Sequence, residues 1–201
     1  MSVDLLNMDC MTYMRDLPDN AFDLAIVDPP YRNAVDNAPT KGMRAIGGAM
    51  RGFGDKPTKD YFNELHRVSS NQIVWGFNHL CDLLDPSSGF VYWHKHQNGN
   101  FAEGEIAWCS IGSGRFFDRP YQLDIGNKIH PTQKPVKLYQ WLLDNYAEKG
   151  QRILDTHLGS GSSAIAAHYF GCDFVGIELD EDYYNAAKAR FEQMTMQEVL
   201  F

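Results

Sequence analysis

Short apolar runs alternate with segments of helical periodicity along most of the chain. The run Phe22–Val27 has the length of a buried strand, and an acid follows it directly. In Lys134–Glu148 the apolar residues recur every three or four positions, which predicts an amphipathic helix. Such alternation predicts an α/β fold with a mostly parallel, doubly wound sheet and helices on both faces. The predicted strands are Val3–Met8, the run that ends at Asp28, Gln72–Phe77, Gln151–Asp155 and Asp173–Leu179, with an antiparallel edge hairpin of Phe90–His94 and Glu105–Ile111; the predicted helices are Met11–Asp16, Tyr61–Val68, Lys134–Glu148 and Asp180–Gln193.

Two stretches, residues 32–60 and 112–130, lack clear periodicity and are rich in glycine and in basic residues. The net charge of the chain is −8, but residues 32–60 carry six Lys and Arg against three Asp and Glu. Residues 138–201 carry four basic against ten acidic residues. Contacts with phosphate need a local basic face, so the two irregular stretches are the candidate nucleic-acid contacts.

The motif Asp28-Pro29-Pro30-Tyr31 follows the predicted strand Phe22–Val27. Proline fixes φ and has no N–H, so carbonyl groups around the two prolines remain free to accept hydrogen bonds. Asp28 adds a further acceptor, and Tyr31 adds an aromatic surface for stacking. A pocket of this composition suits a planar group with an exocyclic amine, such as a nucleobase rotated out of its duplex.

A second motif lies near the end of the chain. The strand that ends at Asp155 leads into a glycine turn at Gly159-Ser160-Gly161 and then a helix, and the next strand ends at Glu178. Strand, glycine turn, helix and a terminal acid about 20 residues on form the nucleotide-binding arrangement of doubly wound sheets. Glu178 can accept both ribose hydroxyls of an adenosine-containing cofactor.

Together the two motifs resemble those of the amino-group DNA methyltransferases that depend on S-adenosylmethionine. The catalytic motif precedes the cofactor turn, which resembles the permuted beta order of that family. The resemblance extends to Asn7–Cys10 and to His130–Pro135, and so covers most of the chain. It implies a Rossmann-like fold, S-adenosylmethionine as cofactor and DNA as substrate.

The resemblance also implies roles for individual residues. Catalysis falls to the motif from Asp28 to Tyr31, with the 6-amino group of adenine as the methyl acceptor. Thr132 to Lys134 are expected to hold the carboxylate of the cofactor. The full set of expected cofactor-binding residues is Asp9, Cys10, Thr132, Lys134, Asp155, His157, Gly159, Ser160, Gly161 and Glu178. The candidate DNA contacts are Arg32, Lys41, Arg44, Arg51 and Arg115.

The cofactor turn departs from the family at one place. Relatives have Pro and Phe after the acid, whereas this chain has Thr156 and His157. The imidazole ring of His157 can still pack beside the cofactor, but it brings a nitrogen that can titrate.

Other polar residues have simpler interpretations. Asp180 and Asp182 are expected to cap the last helix. His94 and His96 could begin a zinc site, but no third ligand lies at a suggestive spacing, so the sequence predicts no metal. The four cysteines have no Cys-x-x-Cys spacing and are expected to be free thiols.

The 201 residues have the length of a single domain, 1–201, with a catalytic half over 1–111 and a cofactor half over 131–201. Apolar runs are too short to cross a membrane, and the N-terminus lacks the pattern of a secretion signal, so a cytoplasmic location is expected. The resemblance also suggests a homodimer, because dimers are common among relatives with this motif order.

Other functions remain open at this stage. The same pocket could methylate the 4-amino group of cytosine, although enzymes of that kind more often have Ser in place of Asp28. Related pockets that methylate RNA or a glutamine amide more often begin with Asn. A non-catalytic partner subunit would be expected to lose one of the two motifs, and both are present here. A nicotinamide dehydrogenase could use the segment Gly159–Glu178 but would leave Asp28–Tyr31 unexplained.

Overall fold

The computed structural model describes residues 1–31, 55–97, 102–124 and 128–196. The described strands are β1 (Val3–Asn7), β2 (Phe22–Val27), β3 (Ser69–Trp75), β4 (Gly89–His94), β5 (Gly104–Cys109), β6 (Arg115–Asp118), β7 (Arg152–Asp155) and β8 (Asp173–Glu178). The described helices are α1 (Cys10–Arg15), α2 (Lys59–Val68), α3 (Phe77–Leu80), α4 (Val136–Tyr146), α5 (Ser162–Phe170) and α6 (Glu181–Met196), with a 3₁₀ turn at Tyr121–Asp124.

The eight strands form one sheet in the order β1-β8-β7-β2-β3-β5-β4-β6. All neighbouring strands are parallel except for β5, which runs antiparallel to both β3 and β4. The predicted α/β class with a mostly parallel sheet is therefore confirmed.

Helices cover both faces of this sheet, as the alternation of side chains along β2 shows. Leu24 and Ile26 pack into one core with residues of α4 and α5, such as Leu138 and Ala164. Val27, which points to the opposite face, packs into a second core with residues of α1 and α2. Because both faces are buried, the central strands read as continuous apolar runs.

The predicted strands and helices are present, with ends shifted by no more than three residues. The antiparallel hairpin of β4 and β5 is confirmed, but the outermost strand on that side is β6. The prediction that residues 112–130 are irregular is wrong at β6 and at the 3₁₀ turn. β6 has only four residues, mostly exposed, so it leaves no apolar run that a sequence pattern can detect.

The other irregular stretch, residues 32–60, lies mostly outside the described residues. Its last two residues, Lys59 and Asp60, begin α2. Among the described residues, none of the helices combines the length and the apolar character that a membrane crossing requires.

The strand directions place the functional motifs together. β2, β7 and β8 are parallel, so their carboxyl ends, with Asp28, Asp155 and Glu178, meet at one edge of the sheet. β4 runs in the same direction and β5 in the opposite one, so the end of β4 and the start of β5 also lie there. Ligands of doubly wound sheets bind at such an edge.

Candidate active site at the carboxyl edge of the sheet

Asp28 lies immediately beyond β2 and is held on both of its carboxylate oxygens. The hydroxyl of Tyr31 donates a hydrogen bond to Oδ1, and the ammonium of Lys134 donates to Oδ2. Tyr31 is three residues away, whereas Lys134 is separated by 106 positions and arrives from the segment before α4. The carboxylate is therefore fixed in orientation before any substrate binds.

Lys134 is the centre of a buried chain of charges. Only 4% of its side chain is exposed, and its ammonium also lies 3.2 Å from Glu105 Oε2. The other oxygen of Glu105 accepts a hydrogen bond of 2.8 Å from Lys95. Burial alone would lower the pKa of Lys134, but the charges of Asp28 and Glu105 raise it. Burial alone would raise the pKa of Glu105, but Lys134 and Lys95 lower it to about 2.

The ring of Tyr31 is positioned by its neighbours at the start of α3. It stacks on His79 with the ring centroids 5.2 Å apart and the planes 12° from parallel. Gly76 precedes α3 in a left-handed conformation, with φ of 80°, and a Cβ atom added there would lie 2.0 Å from Tyr31 Cε1. Glycine is therefore required at this position both by its backbone and by the ring beside it.

The glycine turn between β7 and α5 is held by backbone groups and hydroxyls. Gly159 and Gly161 both have positive φ, and the N–H of Gly159 donates to Glu178 Oε2 at 2.9 Å. Ser160 is buried, and its carbonyl accepts a bond of 2.7 Å from the Arg190 guanidinium of α6. The hydroxyl of Ser162 donates to the carbonyl of Lys134. This bond links the turn to the predicted catalytic corner, which consists of Asp28, Tyr31, Glu105 and Lys134.

Asp155, at the end of β7, is 1% exposed and binds within the turn itself. Its Oδ2 accepts a hydrogen bond of 2.6 Å from the Ser163 hydroxyl, and its Oδ1 accepts one of 3.0 Å from the N–H of His157. Burial raises the pKa of this carboxyl to about 7, and the nearby charges of Asp28 and Glu178 act in the same direction. Asp155 thus shapes the turn from inside.

Glu178 ends β8 and faces the same turn. Besides the bond from Gly159, its Oε1 accepts the N–H of Asp180 at 3.0 Å. Burial raises its pKa above the usual range. Leu179, the next residue, is 68% exposed and offers an apolar surface beside the carboxylate.

The two residues that depart from the family pattern, Thr156 and His157, form a small network with Tyr61. The Thr156 hydroxyl lies 2.6 Å from the hydroxyl of Tyr61 and 2.9 Å from His157 Nδ1. The rings of Tyr61 and His157 meet edge to face with centroids 5.5 Å apart. Burial lowers the pKa of His157 to about 4, so the ring is neutral at neutral pH.

Asp9 and Cys10 lie after β1, whose last residue pairs with Glu178. Asp9 caps α1, because its Oδ1 accepts a bond of 2.7 Å from the N–H of Thr12. Cys10 is partly buried, and burial raises the pKa of its thiol to about 12. Asp180 caps α6 as predicted, through bonds to the N–H groups of Asp182 and Tyr183.

The segment before α4 lies over the glycine turn. The ring of His130 comes within 3.7 Å of the Cβ position of Gly159 and meets the ring of Tyr183 edge to face. Thr132 is exposed, and its hydroxyl lies 3.2 Å from His130 Nδ1. Lys134 was expected to bind the cofactor carboxylate, but its ammonium is buried against Asp28 and Glu105.

The structure therefore brings the catalytic and cofactor motifs to one edge of the sheet, but it does not place the predicted DNA-contacting residues there. Arg115 begins β6 at the opposite edge, where its guanidinium donates a bond of 2.7 Å to Asn145 Oδ1. Arg32, Lys41, Arg44 and Arg51 lie outside the described residues.

Several residues of the site carry no sequence signal of their own. Glu105 starts a strand of the hairpin, and Tyr61 belongs to an ordinary amphipathic helix. His79 lies within α3, a four-residue helix that no periodicity reveals. His130 belongs to the motif His130–Pro135, which carries part of the family resemblance. Among these four residues, it is therefore the one that the sequence could have indicated.

Comparison with known proteins gives a consistent result. The chain is 29% identical to the candidate methylase YubD of Escherichia coli (strain K12), over 94% of this chain and 91% of that protein. Its fold is similar to that of M1.HpyAVI in complex with SAM, with a TM-score of 0.64, 16% identity and coverage of 94% and 98% of the two chains. The cytosine-N4-specific PvuII DNA methyltransferase also has a TM-score of 0.64, at 13% identity and with coverage of 98% and 91%. The family model N6_N4_Mtase, described as DNA methylase, matches residues 54–189, more than half of the chain, and the chain therefore belongs to the N6/N4 DNA methylase family.

Proposed function

We propose that this DNA methyltransferase transfers the methyl group of S-adenosylmethionine to the 6-amino group of a flipped-out adenine. The observation that carries the proposal is the Asp28 carboxylate, which Lys134 and Tyr31 hold at the carboxyl edge of the sheet beside the cofactor turn. Relatives that act on cytosine more often have Ser at this position, so the acid favours adenine.

The residues at this edge fit the expected cofactor. The cofactor carries a sulfonium cation, and Glu178 provides a carboxylate near the turn. Gly159 and Gly161 let the backbone approach a ligand closely, and Glu178 can accept hydrogen bonds from ribose hydroxyls. Leu179 provides an exposed apolar surface for a flat ring. When bound, S-adenosylmethionine supplies an electrophilic methyl group.

The other residues that are expected to contact the cofactor differ in exposure and in position. Thr132 is exposed beside the turn and could donate to a carboxylate. Asp155 and Ser160 are buried and hold the turn in shape, and their direct contact with the cofactor stays a prediction. Asp9, Cys10 and His157 surround the same edge, and their contact with the cofactor stays a prediction.

The catalytic motif acts on the amine. A carboxylate oxygen of Asp28 and the carbonyl of Pro29 accept the two amine hydrogens, which draws the nitrogen toward tetrahedral geometry and concentrates its lone pair. The amine nitrogen, held by Asp28 and Pro29, would accept the methyl group that the bound cofactor would supply, and the sulfur atom would keep the electron pair of its former bond to that carbon. The cationic amine afterwards releases one proton to Asp28 or to water. Positioning and electrostatics account for most of the acceleration.

Tyr31 and Lys134 prepare this arrangement. One face of the Tyr31 ring is covered by His79, so the target base would stack on the other face. Lys134 is a positioning residue: its ammonium holds the Asp28 carboxylate in a fixed orientation. The substrate amine shares Asp28 with these donors, since each carboxylate oxygen has two lone pairs.

The direct test is the identity of the methylated base. The protein is incubated with unmethylated DNA and labelled cofactor, and the DNA is digested and its nucleosides are separated by mass spectrometry. We expect N6-methyladenine with the wild type and no methylated base with Asp28→Ala. N4-methylcytosine as the product would refute the adenine assignment and leave the family assignment intact.

Other expectations from the sequence stay predictions. DNA contacts are expected from residues 32–60 and 112–130, where the basic residues concentrate. A single domain, a homodimer and a cytoplasmic location likewise stay predictions.

A further inference from the structure

Two histidines and one acid meet on the far side of the hairpin, away from the catalytic motif. His94 ends β4, and His96 follows two positions later. Asp118 ends β6, and the parallel pairing of these strands places it opposite His94. This pairing supplies the third ligand that no sequence spacing indicated.

The three ligand atoms are arranged as metal ligands are. His94 Nδ1 lies 3.2 Å from Asp118 Oδ1, His96 Nε2 contacts the same oxygen, and the three ligand atoms lie within 4.8 Å of one another. Zn²⁺ binds nitrogen and oxygen at about 2.0–2.1 Å, so ligand atoms of a tetrahedral site lie about 3.3 Å apart. A small movement of the rings opens the space for such an ion.

The backbone around these residues is fixed in an unusual conformation. His96 has φ of 52°, which is uncommon for a residue other than glycine. Its imidazole thereby stacks on that of His94, with the centroids 4.0 Å apart. Between them, Lys95 is anchored through its N–H to the carbonyl of Glu103 and through its ammonium to Glu105. Backbone strain of this kind is often found at functional sites.

We propose that His94, His96 and Asp118 bind one divalent transition-metal ion, for which Zn²⁺ is the best match. Two imidazoles and a carboxylate provide three ligands, and water completes a tetrahedron on the exposed side. Because the ligands come from β4 and β6, the ion would join the outermost strand to the sheet. Its role is structural, since Asp28 lies three strands away, about 14 Å at the usual strand spacing.

The first test uses the full chain after removal of metal by chelation and dialysis. Titration with Zn²⁺ in a calorimeter is expected to show one ion per chain and, in parallel, a rise in the melting temperature. His94→Ala and Asp118→Asn are each expected to weaken binding at least about tenfold and to abolish the thermal shift. His168→Ala, at a partly buried histidine on α5, is the matched control and should bind as the wild type does.

Co²⁺ tests the identity of the ligands, because Cys10 and the exposed Cys81 could also bind Zn²⁺. The proposed site predicts the visible bands of tetrahedral cobalt without the intense near-ultraviolet band of thiolate ligation. Cys81→Ser should leave the spectrum unchanged, and Asp118→Asn should remove it.

The proposal is overturned if the wild type binds neither ion, if His94→Ala binds as tightly as the wild type, or if Cys81→Ser abolishes binding. None of these readouts depends on methyl transfer, so the result is independent of the proposed function. A folded Asp118→Asn variant, verified by circular dichroism, excludes loss of structure as the cause of lost binding.

Discussion

The catalytic corner contains a partly buried carboxyl and the cofactor turn a fully buried one, and the pKa values of the two are shifted in opposite directions. In the catalytic corner Glu105 lies between two ammonium groups, which lower its pKa to about 2 in spite of burial. In the cofactor turn Asp155 has a hydroxyl and an N–H group as partners, and burial raises its pKa to about 7. Charged partners lower the pKa of Glu105, whereas burial without such partners raises the pKa of Asp155.

This difference separates two ways of building one site. The catalytic corner is held by full charges whose partners lie far apart in the chain; the pKa of Glu105 is lowered and that of Lys134 is raised, so these two groups keep their charge over a wide pH range. The cofactor turn is held by backbone groups and hydroxyls, which leave negative charge available for a cationic ligand. Substitutions in the two regions should therefore impair activity, cofactor affinity and stability to different extents.

Replacement of Asp28 should have the largest effect. Asp28→Ala removes the acceptor for the substrate amine and is expected to lower kcat at least about 1000-fold. Cofactor affinity, measured by calorimetry, should stay close to that of the wild type, because the cofactor turn is separate. Asp144→Ala, at an exposed acid of α4, is the control. Lost cofactor affinity with retained activity would contradict the division into two regions.

Lys134 tests the fixed charge of the catalytic corner. Lys134→Met leaves Asp28 and Glu105 without their shared cation and is expected to cost about 3–5 kcal/mol of unfolding free energy. We also expect kcat to fall while cofactor affinity changes little. Urea denaturation and steady-state kinetics measure the two effects, with the exposed Lys137→Met as control.

The double variant Lys134→Met/Glu105→Gln separates stability from positioning. Removal of the second charge should recover part of the lost stability without recovering kcat. If Lys134→Met instead raises the KM for the cofactor at unchanged kcat, Lys134 serves the cofactor carboxylate, as the resemblance suggested.

The same contrast explains what could be predicted from the sequence. The motif at Asp28, the glycine turn and Glu178 are local patterns, and the mostly parallel sheet that brings them to one edge follows from alternating strands and helices. The bond between Lys134 and Asp28 spans 106 positions, and no local pattern can reveal it. Asp118 was missed as a partner of His94 for the same reason, since β6 is too short and too exposed to be detected.

Gly76 allows the position of Tyr31 to be tested without touching the charges. In Gly76→Ala the new methyl group would overlap the Tyr31 ring, so we expect activity to fall about tenfold or more. Gly112→Ala is a close control, because Gly112 has the same φ of 80° but the atom nearest to its added Cβ would be a Tyr146 carbon at 3.8 Å. Both variants carry the backbone strain, so equal losses of activity would show that the Tyr31 ring is not the cause.

The pH dependence of stability probes the cofactor turn alone. The pKa of Asp155 is raised from 3.8 to about 7 in the folded state, so its contribution is fully present below pH 3.8 and is lost as the pH rises through 7. The unfolding free energy of the wild type, relative to that of Asp155→Asn, should therefore fall by about 3 kcal/mol between pH 4 and pH 7 and stay constant above. Denaturant titrations at several pH values measure this difference, and Asp144→Asn should show no such trend. A difference that stays flat from pH 4 to pH 7 would mean that Asp155 is charged in the folded protein, and the contrast with Glu105 would be lost.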